Sequence, residues 1–105
     1  MAQEDDVWYG YAESVAKDAT VDLRPADGEE VSLQYIEHSA PVELYVVTIK
    51  ADSSEVVVGP EQMTVNGYQG HGNPLTYKRF ARIKNTHSAA QPISWGGRYT
   101  KVPAV

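Results

Sequence analysis

The chain has 105 residues, no cysteine and a formal net charge of -5, which predicts one domain without disulfide bonds or thiolate metal sites. The mild acidity argues against a protein that binds nucleic acid through its net charge. The acidic start lacks the basic and then apolar order of a signal peptide, and no apolar run approaches the roughly 20 residues that span a bilayer. We therefore expect no nucleic acid and no membrane among its partners.

The charged residues are divided unevenly along the chain. Residues 1–61 contain all 14 acidic residues and three of the nine basic ones, a net charge of -11, whereas residues 62–105 contain the other six basic residues, a net charge of +6. Either the two parts neutralise each other within one fold, or they present opposite charges to partners, including other copies of the chain. Both interpretations stay open from the sequence.

Residues 1–18 are predicted to form an N-terminal arm, with at most a short helix near residues 13–17. The arm carries Trp8, Tyr9 and Tyr11. Large aromatic side chains are costly to leave in water, and they commonly anchor interfaces. These three residues either close one end of the core or dock on a neighbouring subunit, so they are interface candidates.

Residues 19–105 are predicted to form a single β-domain, because apolar residues recur with a period of two and many are β-branched or aromatic. A strand at 21–23 leads to a turn at 25–28 that contains proline and glycine. The next strand places Val31, Leu33 and Tyr35 on one face. Predicted later segments are a central strand at 42–49, a hairpin partner at 56–58 ended by residues 59–60, a short strand at 63–65, a glycine-rich loop at 66–74, and strands at 76–84, 92–95 and 98–102.

This pattern predicts an all-β fold of about seven or eight short strands, since turn signals recur roughly every 8 to 12 residues. No segment has the helical period that βαβ units require. The fold class is therefore an antiparallel β-sandwich or small barrel of jelly-roll or immunoglobulin-like kind.

No catalytic or metal-binding constellation is readable in the sequence. His38, His71 and His87 lie in separate segments, without the spacing that sets two imidazoles on one metal. There is no nucleophile elbow, and adjacent acidic residues point to opposite faces of a strand, where they cannot act together as acid and base. We expect no enzymatic activity, no metal and no cofactor.

The glycine-rich loop at 66–74 is a candidate for exposed recognition. Its glycines match no phosphate-binding motif, and no helix follows them. Tyr68, His71 and Asn73 stand among these glycines, and rigid sandwiches commonly place binding residues on such loops. A flexible hairpin connection explains the same composition.

The predicted strand at 76–84 carries a basic row. Lys78, Phe80, Arg82 and Lys84 share one face, which superficially resembles a platform for single-stranded nucleic acid. Such a platform needs several stacking aromatic residues and a positive field, whereas the first part of the chain is acidic. Pairing with carboxylates of a neighbouring strand is the simpler interpretation. The candidate carboxylates are Glu37, Glu43 and Glu55.

Pairing across a subunit boundary stays open for the basic residues. The acidic residues 4–6 and the basic row are the least certain to find partners within one chain. The basic candidates for an oligomer or capsid-type interface are Lys78, Arg79 and Arg82.

One order of segments covers roughly residues 20–102. It consists of a strand, the turn PADGEE leading into VSL, the segment VELY, a late strand that closes as RIKNT, the small residues SAA, and ISWGG before a last strand to Lys101. In this order the chain resembles the small accessory head proteins of tailed viruses, which decorate the capsid exterior or build its turrets.

The resemblance implies a virion structural protein without catalysis, made in the host cytoplasm and located on the capsid surface. It also implies a homo-oligomer, often a trimer, bound to the major capsid protein. Residues up to 18 and the loop at 66–74 lie outside the matching segments. A different class stays open, a sandwich-type carbohydrate-binding module whose sugar platform would use Tyr68, Tyr77, Trp95 or Tyr99.

Overall fold

The computed structural model describes residues 3–4, 6–63 and 74–103. Over these residues the regular elements are eight strands, and there is no helix. The strands are β1 (Val7–Val15), β2 (Thr20–Leu23), β3 (Glu30–His38), β4 (Val42–Ile49), β5 (Glu55–Met63), β6 (Pro74–Thr76), β7 (Arg79–Asn85) and β8 (Gln91–Lys101). The all-β prediction is confirmed.

The strands form one antiparallel sheet in the order β1-β8-β3-β6-β7-β4-β5, and β2 pairs with β7. Strand β6 is short, and it pairs with β3 over residues 30–32 and with β7 only between Thr76 and Arg79. It therefore joins two larger groups of strands, β1-β8-β3 and β2-β7-β4-β5. Both groups contribute to one apolar cluster, which fits the sandwich or small-barrel class.

The core lies between these two groups of strands. Its largest fully buried members include Leu33 and Ile93 from the first group and Leu23 and Ile83 from the second. Burying such side chains contributes about 1.5–3 kcal/mol each, which is the main favourable term in a domain of this size. The alternate residues of the same strands face outward, so the candidate surfaces lie on the outer faces of the sheet.

The predicted N-terminal arm is wrong for residues 7–15, which form β1 and pair with β8 from Val7–Arg98 to Val15–Gln91. Trp8 is only 9% exposed and belongs to the core. No helix follows, because the strand runs to Val15 and a turn comes after it. In the sequence VWYGY, aromatic residues occupy both faces of the strand. The alternation of apolar and polar residues that indicates a strand is therefore absent there.

Three strand boundaries also differ from the prediction. Predicted strand 76–84 is divided by a turn at residues 77–78, which places Lys78 outside β7. Strand β5 continues through Gly59 and Pro60, because a register shift between Leu44 and Val46 of β4 accommodates a bulge there. The glycine pair at 96–97 does not interrupt β8, which runs through both predicted late strands.

Candidate interaction surfaces

Exposed tyrosines occupy the outer face of β1, β8 and β3. Side chains alternate along a strand, so Trp8 points into the core while Tyr9 and Tyr11 point outward. Tyr9 is 74% exposed, Tyr11 is 64% exposed and Tyr35 is 41% exposed. Tyr9 and Tyr35 flank Gly96, which pairs with both across three adjacent strands. We call the three tyrosines the tyrosine face.

Gly96 explains how Tyr35 lies on this surface. A Cβ atom at position 96 would overlap the Tyr35 ring, so the ring occupies the space that a side chain would otherwise take. An aromatic ring that covers a glycine of the neighbouring strand is a recognised way to stabilise a sheet. The tyrosine face therefore lies close to the backbone of β8.

The orientation of Tyr35 differs from the prediction, which placed it on the same face as Val31 and Leu33. A register shift between Leu33 and Tyr35 inserts an extra residue into β3. After the bulge, Ile36 takes the inward position, with 2% exposure. A bulge has no reliable local sequence signal, so the alternation alone missed Tyr35 as a surface residue.

Polar and charged side chains surround the tyrosine face. Arg98 lies opposite Val7 on one side and Ser32 on the other, and Glu37 lies opposite Ser94. Val7 extends the apolar surface, with 56% exposure. An aromatic centre with a polar margin is typical of protein interfaces.

Arg82 of β7 is engaged within the chain. Its Nε donates to Asp22 Oδ1 at 2.7 Å, and its Nη1 donates to Glu55 Oε1 at 3.1 Å. A second pair of hydrogen bonds of 3.2 Å joins Nη2 to the same two carboxylates. Glu55 is one of the predicted carboxylates, but it lies beyond the neighbouring strand β4, and Asp22 was not anticipated.

This ion cluster perturbs the ionisation of its members. Hydrogen bonds from Arg82, reinforced by its charge, hold the pKa of Glu55 below the ordinary value of 4.5. The bonds to Asp22 and then Glu55 raise the pKa of Arg82. Carboxylates of β2 and β5 thus neutralise Arg82 within the chain.

Glu43 is a second point where the acidic and basic parts meet. It lies opposite Lys84 on β7. Its carboxylate accepts hydrogen bonds from Gln62 Nε2 at 2.7 Å and from the Tyr45 hydroxyl at 2.8 Å. These two bonds, with the charge of Lys84, lower the pKa of Glu43. The hydrogen bond to Glu43 raises the pKa of Tyr45.

Phe80 does not offer a stacking platform for nucleic acid, because it is fully buried. The Arg24 guanidinium lies 3.8 Å from the centre of the Tyr77 ring and 4.6 Å from that of Phe80. Arg24 Nε also donates to the Tyr77 carbonyl at 2.7 Å. Of the remaining basic candidates, Lys78 is exposed in the turn before β7, and Arg79 is exposed at the start of β7.

The aromatic residues predicted for a sugar platform do not share an exposed face. Trp95 and Tyr99 are partly buried and pack against the core. The Trp95 ring occupies the space where Gly10 lacks a side chain. Tyr77 stacks on Arg24 near the other group of strands. Tyr68 lies outside the described residues, as do the loop candidates His71 and Asn73.

A buried polar network joins several loops at one end of the fold. Asn85 Nδ2 donates to the carbonyls of Val15 and Ala89, and its Oδ1 accepts from Gln91 Nε2 at 2.7 Å. His38 Nδ1 lies 2.7 Å from the Ala40 carbonyl oxygen. All four hydrogen-bonding positions of Asn85 are used, since Oδ1 also accepts the backbone N–H of residue 87. The network fixes loops in place and is closed to solvent.

Within the described residues, no group of three or more histidines or carboxylates could hold a metal ion. The same residues contain no helix long and apolar enough to cross a membrane. One open groove of about 230 Å³ is lined in part by Glu29, Glu30, Lys78 and Lys101, which is smaller than the roughly 300–1,000 Å³ of usual small-molecule sites.

No protein-family model matches the chain, and a search of curated proteins finds no match. The fold and the tyrosine face define the protein as an all-β domain with an exposed aromatic surface. The functional argument starts from this surface.

Proposed function

We propose that the chain is a virion structural protein that decorates the exterior of a tailed-virus capsid. It acts there as a homo-oligomer, a trimer in the simplest arrangement, bound to the major capsid protein and stabilising the head. The observation that carries the proposal is the tyrosine face, on which Tyr9 and Tyr11 are more than half exposed. The viral context rests on the resemblance in segment order.

The physical argument is the cost of leaving these rings in water. Aromatic side chains bury about 150–250 Å² each when covered, and they dominate the energetics of interfaces. Tyrosine is enriched among the few residues that contribute most of the binding free energy. A rigid sheet that presents three tyrosines with a charged margin is suited to docking on a preformed protein surface.

The ion clusters support attachment through apolar contacts. Arg82 is bonded to Asp22 and Glu55, so its charge is largely satisfied inside one chain. A partner would therefore be recognised mainly by the tyrosine face and its margin. Such a surface suits the regular lattice of a capsid, where many weak contacts of one kind repeat.

Co-expression with the major capsid protein of the same genome tests the proposal. Shells are sedimented, and the amount of chain retained on them is measured. We expect the wild-type chain to be retained and the double variant Tyr9→Ser, Tyr11→Ser to bind at least about tenfold more weakly. Tyr77→Ser is the control, because Tyr77 lies away from this face and is 38% exposed. A wild-type chain that stays in the supernatant contradicts the proposal.

A carbohydrate-binding module is the second candidate, and the tyrosine face favours it too. Rings on an open sheet can stack on sugars, while Glu37 and Arg98 lie where hydroxyl groups could be bound. Titration with soluble glycans, followed by tyrosine fluorescence, distinguishes the two. Saturable binding that is lost in Tyr35→Ser, with no retention on shells, would favour the module.

A further inference from the structure

Strands β1 and β5 are the two ends of the sheet order. Each therefore has one neighbour and one free edge in the described part of the chain, where a row of backbone N–H and C=O groups lacks a strand partner. Such edges are templates for pairing with another chain unless charge, proline or a covering segment blocks them.

The exposed apolar residues concentrate on these two strands. Of the eight large hydrophobic residues that are exposed among those described, six lie on β1 or β5. They are Val7, Tyr9 and Tyr11 on β1, and Val56, Val57 and Val58 on β5. The valines are 45%, 47% and 64% exposed, so the end of the β4–β5 hairpin is uncovered.

We propose that β5 of one copy pairs with β1 of another, so that the sheet continues from chain to chain. The inference deepens the proposed function, on which it rests for the existence of an oligomer, by naming the contact between copies. It satisfies both free edges and places the exposed valines of β5 beside the exposed tyrosines of β1, whose outer face stays open to the capsid. Pairing of β5 with β5 would leave the backbone edge of β1 unpaired.

The faces of the two strands match in an antiparallel register that sets Val57 opposite Tyr9. Val58 lies opposite Val46, which packs against the core, so Val57 belongs to the outer face, as Tyr9 does. Aromatic and β-branched residues stabilise each other when they face across strands. In the same register, Val58 meets Trp8 and Val56 meets Gly10 on the core side.

Charge does not oppose this pairing. In that register, residues 8–11 of one copy face residues 55–58 of the other, and Glu55 is the one charged residue in the two segments. Its carboxylate is already bonded to Arg82. The residue opposite Glu55 in this register is Tyr11, so no second carboxylate faces it.

Because the chain lacks cysteine, paired single-cysteine variants test the contact directly. Val57→Cys is mixed in turn with Val7→Cys, Tyr9→Cys and Tyr11→Cys under mild oxidation. Opposed residues of antiparallel strands have Cα atoms about 4.5–5.5 Å apart, within the range that a disulfide bond spans. We expect a covalent dimer with Tyr9→Cys, little or none with Val7→Cys and Tyr11→Cys, which lie diagonal to Val57 in this register, and none with Tyr77→Cys.

Other cross-linking patterns would overturn the inference. A covalent dimer from Val57→Cys alone means that β5 pairs with itself, and one from Tyr9→Cys alone means the same for β1. Absence of cross-links in every mixture means that neither edge is used. Retention of the same variants on capsid shells is measured in parallel. Cross-linking without retention would contradict the proposed function and leave the contact between copies supported.

A charge placed on the edge provides an independent test. Val57→Lys introduces the residue that natural edge strands use against pairing, at a side chain that is 47% exposed and so tolerates the change. We expect light scattering to give an oligomer for the wild type and for Val57→Thr, and a single chain for Val57→Lys. A wild-type monomer, or an unchanged Val57→Lys oligomer, contradicts the inference.

Discussion

Arg82 connects the acidic and basic parts of the chain through one side chain. Its guanidinium bonds to Asp22 of β2 and to Glu55 of β5, two strands on opposite sides of β7 and β4. The Arg82 side chain is 22% exposed, so solvent screens its pairs only in part. Bidentate geometry and a shared network make such a cluster more valuable than an isolated surface pair.

Replacing Arg82 by methionine is expected to lower the free energy of unfolding by about 1 kcal/mol at pH 7. The effect depends on pH, because Arg82 depresses the pKa of Glu55 below 4.5 in the folded state. This stabilisation is present above the unfolded pKa and is lost as the pH falls through the folded pKa. Urea unfolding at pH values from about 7 to 3 measures the difference between the two proteins.

Arg79→Met serves as the control for this experiment, because Arg79 is an exposed arginine at the start of the same strand. The gap between wild type and Arg82→Met should narrow at acid pH, while the gap for Arg79→Met stays small throughout. A gap for Arg82→Met that is the same at pH 7 and pH 3 would mean that Glu55 contributes nothing through this pair.

Single residues differ in how far local sequence reveals their surroundings. The partnership of Arg82 with Glu55 was predictable from opposite charge alone, although β4 lies between their strands. Asp22 was missed, since the adjacency of β2 and β7 joins segments far apart in sequence. Tyr35 was missed because the bulge in β3 reverses its facing direction.

The pairing of β3 with β8 depends on the adjacent glycines of β8. A Cβ atom at Gly97 would overlap the Ser32 carbonyl oxygen, which belongs to the backbone of β3. A Cβ atom at Gly96 would instead overlap the Tyr35 ring, which is a side chain with freedom to move. Position 96 therefore tolerates a small side chain better than position 97, although the two are neighbours in one strand.

We expect Gly97→Ala to destabilise the fold by about 3 kcal/mol or more, because the two strands must separate to admit the methyl group. Gly96→Ala should cost about 1 kcal/mol, since rotation of Tyr35 relieves the overlap. Urea unfolding of both variants checks the order. Equal losses at the two positions would show that backbone spacing between β3 and β8 does not decide the effect.

Strand-level prediction succeeded where a continuous run of apolar and β-branched residues marks a strand, and it failed at a bulge and at the aromatic segment near the start of the sequence. Strand β4 was located at its observed bounds from its apolar residues. Strand β1 was taken for an arm because its aromatic residues occupy both faces. The order of strands could not be predicted from the sequence. Strand β6 joins the two groups through short pairings, which produce no recognisable sequence pattern.

For the molecule as a whole, the charge imbalance is reduced by contacts between strands. The Arg82 cluster and the Glu43–Lys84 cross-strand pair draw on both parts of the chain. The apolar residues of β1 and β5 are not covered in this way. Association between copies should therefore depend on apolar surface more than on long-range charge.

This leads to a prediction about salt. If copies associate through these apolar strands, raising the salt concentration from about 50 mM to about 1 M should leave the oligomer mass unchanged or increase it, because screening acts on exposed charges. Light scattering at constant protein concentration makes the measurement. Dissociation at high salt would show that opposite charges on different copies hold the oligomer together.

The pairing of β1 with β8 has a consequence for biosynthesis. Of the eight described strands, the first in sequence is hydrogen-bonded to the last, with Val7 opposite Arg98. During translation, β1 therefore lacks its strand partner until β8 has been synthesised. Until then Trp8 cannot pack in the complete core, and Tyr9 and Tyr11 are exposed with it. Contacts between residues so far apart in sequence form slowly. Until they form, the exposed apolar segments are prone to misfolding and aggregation. Strand β1 is thus exposed to misfolding and aggregation until β8 has been synthesised.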